Sequence, residues 1–325
     1  MSCLQGDQYM MREGNKELRH ILLLVLGSII WGAAFVAQSV GAEHVGPLTF
    51  LSIRSWLGAF SLIPVIMVMD RRKGKKTASG DPVGVHENEQ SASSGLETKS
   101  IPSLHRFKEP LMGGLLCGTL LFVASLLQQA GIAYTTTAKA GFITALYVVF
   151  VPVLSLVVGL KSTWKTWVCM VMSVVGLYLL CMTGGSAFGK GDLLILLCAF
   201  AFSFQIMSIN HFVKKTEGIL LAEFEFLVEA LLATLLMLFF ETVTFKDIIA
   251  AAPALLYAGF LSSGVGYTLQ IVGQEGVNPS VASLVMSLES VFSALAGWII
   301  LGQSMTLREI AGCLIMFAAI VLSQI

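Results

Sequence analysis

Two glutamates in the middle of long apolar stretches are the strongest chemical signals in this sequence. Glu229 and Glu289 each lie within a mainly apolar stretch, and a helical rise of about 1.5 Å per residue puts each about 15 Å along its stretch. Ionisable groups at membrane depth are costly and normally face a cavity, a partner or a proton pathway. The pattern indicates either a group that takes up and releases protons, or a neutral carboxyl group hydrogen-bonded between helices.

Aromatic and amide side chains recur at helical spacing on other apolar stretches. Trp31 and Gln38 share a face of the first stretch, Tyr267 and Gln270 share a face of the eighth, and Tyr147 lies within the fourth. Spacings of three and seven residues bring side chains to one side of a helix. Such a face suits a small amphipathic metabolite, although the same residue types also join membrane helices by hydrogen bonds.

Arg54 is the one basic residue within an apolar stretch. It lies about 8 Å into the second stretch. One possibility is that the side chain extends to the outer surface. The other is that its guanidinium pairs with a substrate carboxylate or an acidic side chain. Lys139, at the mouth of the fourth stretch, is expected to face solvent.

Other chemical motifs are weak. The six cysteines lie far apart, without a CxxC pair, and are interpreted as small buried apolar residues. Residues 184–190, GGSAFGK, have the spacing of a phosphate-binding loop, but Gly191 stands where Ser or Thr would hold magnesium. We therefore predict no catalytic residue, metal site or cofactor, and we do not expect an enzyme.

The composition places the chain in a lipid bilayer. Of its 325 residues, 56% are hydrophobic and 12% charged, and the mean hydropathy is +0.82, whereas soluble proteins carry about 25% charged residues. The formal net charge is zero, so no nucleic-acid partner is expected. A spanning helix needs about 20 apolar residues, and we predict ten, near residues 19–40, 48–69, 110–133, 138–160, 164–183, 191–212, 219–241, 248–273, 278–301 and 305–323.

The second half of the sequence repeats the first. Residues 127–157 match residues 269–299 without a gap, at an offset of 142 that aligns Tyr147 with Glu289. An internal repeat in a membrane protein is typical of transporters. A protonatable glutamate would then couple proton movement to the movement of a solute.

The repeat adds two amides to the candidate pathway. Gln128 aligns with Gln270 at the 142-residue offset, and Gln205 lies in the sixth stretch, which fits the first at an offset of 171. The same offset of 171 aligns Arg54 with Glu225.

The basic residues predict the orientation of the chain. With both termini in the cytoplasm, 15 of the 20 basic residues lie inside, in agreement with the positive-inside rule. Because each repeat has five helices, the two repeats have inverted topology. We predict a cytoplasmic segment at 1–18, a first repeat at 19–183 and a second at 184–325, with a disordered cytoplasmic insertion at 70–109.

Four parts of the sequence together resemble the drug/metabolite transporter superfamily, EamA type. They are WGAAF at 31–35, Arg54, AYTTTAKAGFITALYVVFVPVLS at 133–155, and the segment 288–322. The resemblance implies ten helices in two inverted repeats, a cavity lined by helices 1–4 and 6–9, and export or exchange of amino acids and other metabolites.

The resemblance also bears on single residues. It supports Trp31, Arg54, Tyr147 and Glu289 as positions near the cavity. Two residues depart from the pattern: Ser290 stands where the family usually has proline, which removes one reason to expect a kink there, and Gln303 replaces an acidic residue. In the first repeat Pro152 is a candidate kink.

We therefore expect a multi-pass plasma-membrane transporter that exports or exchanges amino acids or related metabolites by alternating access. Its expected partners are a small-molecule substrate, the bilayer and, as an option, a second copy in a homodimer. The alternatives are a nucleotide-sugar or phosphorylated-metabolite antiporter, and a membrane scaffold or sensor that acts through residues 70–109. An intramembrane enzyme is disfavoured because no nucleophile and base lie at matched depth.

Overall fold

The computed structural model describes residues 2–78, 105–135, 137–181, 188–301 and 306–324. Within these ranges the chain consists of helices joined by short turns and loops, and they contain no β-strand. The helices are α1 (Ser2–Ala42), α2 (Pro47–Ala78), α3 (His105–Ile132), α4 (Thr137–Thr144), α5 (Tyr147–Val157), α6 (Trp164–Cys181), α7 (Lys190–Phe212), α8 (Gly218–Phe240), α9 (Phe245–Leu256), α10 (Thr268–Gln274), α11 (Pro279–Met286), α12 (Glu289–Leu301) and α13 (Leu307–Gln324), with a π-helix (Tyr257–Tyr267) between α9 and α10.

Every predicted span coincides with a helical stretch. Seven of the stretches are long and apolar enough to cross a membrane by length and composition alone. The other three stretches are α6, α8 and α13. Helix α8 is apolar but carries Glu223, Glu225 and Glu229. For the described ranges, the prediction of an all-helical protein with several membrane spans is confirmed.

Helices α2 and α3 continue into the predicted insertion. α2 ends at Ala78 rather than near residue 69, and α3 begins at His105 rather than near residue 110. The extension of α2 is rich in Lys and Arg, which favour helix, so the prediction of disorder throughout 70–109 is wrong at both ends. The remainder of that insertion, Gln303 and most of the phosphate-loop-like heptad lie outside the described residues.

The fourth and ninth predicted spans are both interrupted near their middle. Helices α4 and α5 meet at Ala145 and Leu146, and α11 and α12 meet at Ser287 and Leu288. The backbone N–H of Leu146 donates to the carbonyl of the third residue before it (3.2 Å), and that of Leu288 does the same (3.1 Å). These are the tighter hydrogen bonds of a 3₁₀ turn. The two interruptions are counterparts at the 142-residue offset, so both repeats have them.

Proline does not cause either interruption. Helix α5 continues through Pro152, which lies several residues beyond the interruption at Ala145 and Leu146, so a kink at this proline stays a prediction. The ninth span is interrupted although Ser290 replaces the family's proline. At its end, the Ser28 hydroxyl of α1 lies 3.3 Å from the carbonyl oxygens of Val285 and Met286, which compete for its proton with the Leu24 carbonyl at 2.9 Å.

The eighth predicted span contains the π-helix. The wider π turn alters the usual i−4 hydrogen bonds, and the carbonyl of Ser262 accepts a hydrogen bond from Trp31 Nε1 (3.3 Å) on α1. Close packing against α2 depends on Gly259, because an added Cβ would lie 2.5 Å from the Cβ of Leu57.

The main helix contacts join the first half of the chain to the second. Helix α3 packs against α7 and α8, α2 packs against α8 and the π-helix, and α1 packs against α10, α11 and α12. Helices α6 and α13 pack mainly against each other. The space between the other helices holds the candidate site.

Candidate functional site

A small cavity of about 40 Å³ lies between the two halves of the chain. This volume has room for about three water molecules. Nine of the described α-helices and the π-helix line it with the side chains of Trp31, Ala34, Phe35, Gln38, Arg54, Gln128, Thr144, Tyr147, Phe202, Ile206, Ser262, Tyr267, Gln270, Met286 and Glu289. Helices α6 and α13 contribute none of these residues.

Tyr147 and Glu289 meet across the centre of the cavity. The Tyr147 hydroxyl donates a hydrogen bond to Glu289 Oε1 at 3.0 Å, and the two residues are 142 positions apart in the chain. A residue can touch its own repeat counterpart only near the axis that relates the repeats. Tyr147 is the first residue of α5 and Glu289 the first residue of α12, so this hydrogen bond joins the starts of the two helix segments that follow the interruptions.

Arg54 points inward and forms a buried ion pair. Its Nη2 lies 3.7 Å from Glu229 Oε1 and donates to the Ser125 hydroxyl at 3.1 Å. The Ser55 hydroxyl donates to Glu229 Oε2 at 2.8 Å. Arg54 is 2% exposed and Glu229 is fully buried, so the prediction that Arg54 reaches the outer surface is wrong. The structure has the other alternative, in which Arg54 pairs with an acidic side chain, Glu229.

A chain of amides extends from the cavity wall to α8. Gln270 donates to Gln205 Oε1 at 3.4 Å, and Gln205 donates to Glu225 Oε1 at 2.7 Å. Gln205 and Glu225 are fully buried. Two hydrogen bonds therefore link the amides of Gln270 and Gln205 to the carboxyl group of Glu225.

Several polar atoms around the cavity have no hydrogen-bond partner in the described parts of the chain. Among the lining residues these atoms are Gln38 Oε1, Arg54 Nε and Gln270 Oε1. A buried polar atom left without a partner costs about 1–3 kcal/mol. The cavity wall can therefore gain free energy by binding a polar solute or water.

Aromatic rings form the opposite wall. The rings of Trp31 and Tyr267 are tilted, with centroids 4.8 Å apart, and the ring of Phe226 lies edge-on behind Tyr267 at 5.7 Å. The Trp31–Ser262 hydrogen bond fixes the indole against the π-helix. The site thus offers an apolar surface beside a carboxyl, a hydroxyl and a guanidinium group.

Polar contacts close the two ends of the helix bundle. At the predicted outer end, Lys139 Nζ and the Thr135 hydroxyl each lie 2.6 Å from a carboxylate oxygen of Asp192, at the start of α7. At the other end, His20 Nδ1 donates to the carbonyl of Val272 at 2.9 Å. The prediction that Lys139 faces solvent is wrong, because Asp192 offers it a buried carboxylate.

The structure brings together most of the residues selected from the sequence. Eight line the cavity, namely Trp31, Gln38, Arg54, Gln128, Tyr147, Tyr267, Gln270 and Glu289, while Gln205 and Glu229 lie directly behind it. Sequence reasoning missed Ala34, Phe202, Ile206 and Ser262. The 171-residue offset aligns Trp31 with Phe202 and Phe35 with Ile206, so the repeat held the signal for two of these.

The chain is similar to known membrane proteins over nearly its full length. The EamA-like transporter family matches residues 18–182 and again residues 189–324, which supports two repeats. An "Uncharacterized transporter" of Archaeoglobus fulgidus is 26% identical over 315 residues, covering 95% of this chain and 87% of that protein. The "Uncharacterized transporter YoaV" of Bacillus subtilis is 23% identical over 309 residues, covering 92% of this chain and 94% of that protein.

One solved crystal structure has the same fold. It superposes with a TM-score of 0.72 at 14% identity and covers 94% of this chain and 96% of that one. With the family match over both halves of the sequence, the resemblance stated from the residues is confirmed. The chain is a membrane transporter of the EamA-like family, within the drug/metabolite transporter superfamily.

Proposed function

We propose that the protein exports or exchanges small organic solutes, most of all amino acids or related metabolites, by alternating access across the plasma membrane. In this proposal both termini are cytoplasmic and the repeats at 19–183 and 184–325 have inverted topology. Transport rather than chemistry is the whole activity. The proposal rests above all on one observation, the polar and aromatic cavity around the Tyr147–Glu289 hydrogen bond.

The composition of the cavity wall supports a small amphipathic solute. Glu289 and Tyr147 offer a carboxyl and a hydroxyl group, Arg54 offers a guanidinium, and the Trp31 and Tyr267 rings offer an apolar face. A solute with an amino and a carboxylate group would engage Glu289 and Arg54, provided that its carboxylate competes with Glu229 for Arg54. Gln128 and Gln270 supply further hydrogen bonds.

The small volume of the cavity supports a cycle in which the site must widen to admit a solute. About 40 Å³ is far below the roughly 300–1,000 Å³ of small-molecule sites, so a solute enters only when helices move apart. The Lys139–Asp192 and His20–Val272 contacts lie at opposite ends of the bundle. Breaking one while keeping the other would expose the cavity to one side of the membrane at a time.

Glu289 and Glu229 are the proposed proton-coupling groups. Glu289 lines the cavity, is 5% exposed and accepts a hydrogen bond from the Tyr147 hydroxyl. Glu229 lies next to Arg54 and Ser55. A proton on Glu289 would leave with, or in exchange for, the solute, whereas a proton on Glu229 would release Arg54.

The cationic character of the site argues against phosphorylated substrates. Such solutes carry two or more negative charges and need several cations at the site. Among the lining residues Arg54 is the one cation, and it is already paired with Glu229. A nucleotide-sugar or phosphorylated-metabolite antiporter is therefore the second choice, and a sensor that acts through residues 70–109 is the third.

The test is uptake by purified protein in liposomes. A panel of labelled amino acids is offered with and without an imposed pH gradient to the wild type, to Glu289→Gln and to Glu43→Gln, an exposed acid at the end of α1 that serves as the matched control. We expect saturable uptake by the wild type and by Glu43→Gln, and at least a tenfold loss in Glu289→Gln. If uptake by Glu229→Gln and by Glu289→Gln still depended fully on the pH gradient, the proposal that these residues couple proton movement to solute movement would be refuted.

A negative result is also informative. If folded and correctly oriented protein takes up none of the panel, the amino-acid proposal fails, and nucleotide sugars and sugar phosphates are tested next. If these also fail, a chain that lacks residues 79–104 is compared with the wild type for any cellular phenotype. A phenotype lost with that segment would favour the sensor.

A further inference from the structure

A groove on the membrane-facing surface runs beside the second half of α7. We call it the α7 groove, and its walls include Leu116 of α3, Val158 after α5, and Phe204 and Met207 of α7. Its volume is about 540 Å³, within the range of about 300–1,000 Å³ typical of small-molecule sites. It is separate from the central cavity, with which it shares no lining residue.

The walls of the α7 groove are apolar and exposed. Val158 is 63%, Leu116 48% and Phe204 39% exposed. On the outside of a membrane protein such side chains contact lipid, because water does not reach this depth. The groove therefore takes hydrocarbon along its length.

One end of the α7 groove is basic. Lys214 and Lys215 line it together with His211, and the Lys215 and His211 side-chain nitrogens lie 2.8 Å apart. Lys214 Nζ donates to Asn210 Oδ1 at 3.3 Å. As far as the described residues go, neither lysine has a carboxylate within ion-pair distance, so both ammonium groups can bind an anion.

The length of the groove matches one leaflet of a bilayer. Phe204 and Lys215 are eleven residues apart on α7 and the turn that follows it, or about 16 Å along a helix. The hydrocarbon core is about 30 Å thick, so one leaflet accounts for about half of that. An acyl chain beside Phe204 would thus have its head group at the level of the lysines.

The internal repeat shows that the fold does not require this charge. At the offset of 171, the counterparts of Lys214 and Lys215 are Glu43 and His44, which end up on the opposite side of the molecule. The same surface is thus acidic or neutral in one repeat and basic in the other. The two lysines are therefore a feature of the α7 groove that the helix arrangement of the repeat does not require.

We propose that the α7 groove binds one anionic phospholipid of the leaflet on this side of the membrane, which we predict to be cytoplasmic. Its phosphate interacts with Lys214 and Lys215, and an acyl chain lies along Phe204 and Met207. Basic pockets between membrane helices on the cytoplasmic side recognise anionic head groups in this way. The alternative without a bound lipid is that the lysines only set the orientation of the chain in the membrane.

The experiment is native mass spectrometry of the full-length protein, released from micelles that contain phosphatidylglycerol or phosphatidylcholine with the same acyl chains. We expect one bound phosphatidylglycerol. We expect its affinity to fall about thirtyfold in Lys214→Gln/Lys215→Gln, because each lysine near an anionic lipid surface contributes to the binding free energy. The matched control is Lys161→Gln/Lys165→Gln. These lysines lie at the same end of the molecule but do not line the groove, so this variant should keep the lipid. An equal loss in both double variants would overturn the proposal.

A second variant separates the groove from mere surface charge. Ser208→Trp would fill the groove and leave both lysines in place, so the lipid should be lost. Unchanged binding to Ser208→Trp would show that the lysines attract lipid without a groove. If the wild type binds no phosphatidylglycerol while a chain without residues 79–104 does, the groove belongs to that segment and the proposal fails.

Discussion

The buried Arg54–Glu229 pair makes a quantitative prediction about stability. Arg54→Met would leave Glu229 in the protein interior with its hydrogen bond from Ser55 but without the guanidinium. Glu229→Met would leave the Arg54 guanidinium with the Ser125 hydroxyl. Each single variant therefore leaves a charge without its counter-charge, whereas Arg54→Met/Glu229→Met removes both.

The size of the effect follows from the distance. Two unit charges 3.7 Å apart attract by about 4 kcal/mol at an effective dielectric constant of about 20. Breaking a buried pair costs about 3–5 kcal/mol, and replacing both partners by apolar residues is often neutral or stabilising. Ser55 keeps a partner in every variant, because the carbonyl oxygen of Leu51, 2.7 Å from its hydroxyl oxygen, is an alternative acceptor for its single proton.

The assay is reversible unfolding in mixed micelles, followed by circular dichroism for the wild type and all three variants. We expect each single variant to lose about 3–5 kcal/mol of unfolding free energy and the double variant to lose less than about 1 kcal/mol. If the losses of the single variants simply add in the double variant, the two side chains are not coupled. That result would refute the ion pair as the reason why Arg54 points inward.

Three further predictions concern other contacts. Tyr147→Phe leaves Glu289 without the hydroxyl that donates at 3.0 Å, so the free energy of unfolding should fall by about 1–3 kcal/mol in the same micelle assay. Asp192→Asn removes the carboxylate charge that holds Lys139, so amide hydrogen exchange should become faster in α4, as mass spectrometry would detect. Gly32→Ala places a Cβ 2.6 Å from a side-chain carbon of α12 and should cost about 1–3 kcal/mol of stability by overpacking.

Each of these predictions has a control. For Tyr147→Phe it is Tyr178→Phe, a ring on α6 that is 53% exposed and whose loss of a hydroxyl should change little. For Asp192→Asn it is Glu43→Gln, which should leave exchange in α4 unchanged. For Gly32→Ala it is Gly141→Ala, whose Cβ would meet its nearest atom at 3.8 Å. Equal effects in a variant and its control would contradict the corresponding contact.

The helical spans were predictable because they depend on composition along the chain. A bilayer requires long apolar helices, and each predicted span coincides with one. The cavity-facing residues Trp31, Tyr147 and Glu289 were also accessible to sequence reasoning, since polar and aromatic groups within a span stand out against their apolar neighbours.

Features that depend on contacts between distant residues were not predictable. The break at Ser287 and Leu288 has no proline or glycine of its own, and Ser28 supports it from the other end of the chain. Arg54 turns inward because Glu229 lies beside it, and nothing in the second span alone indicates this. Lys139 likewise contacts Asp192 across the boundary between the repeats.

The hydrogen bond between Tyr147 and Glu289 has a consequence for the energy of the transport cycle. If the repeats were identical, rotation about their axis would convert the inward-facing state into the outward-facing one, and the two states would have equal energy. Tyr147 and Glu289 occupy the same position in the two repeats but differ chemically, as do Arg54 and Glu225. Under the proposed inverted topology and alternating access, these mismatches would remove the degeneracy and would bias the side of the membrane that the empty carrier faces.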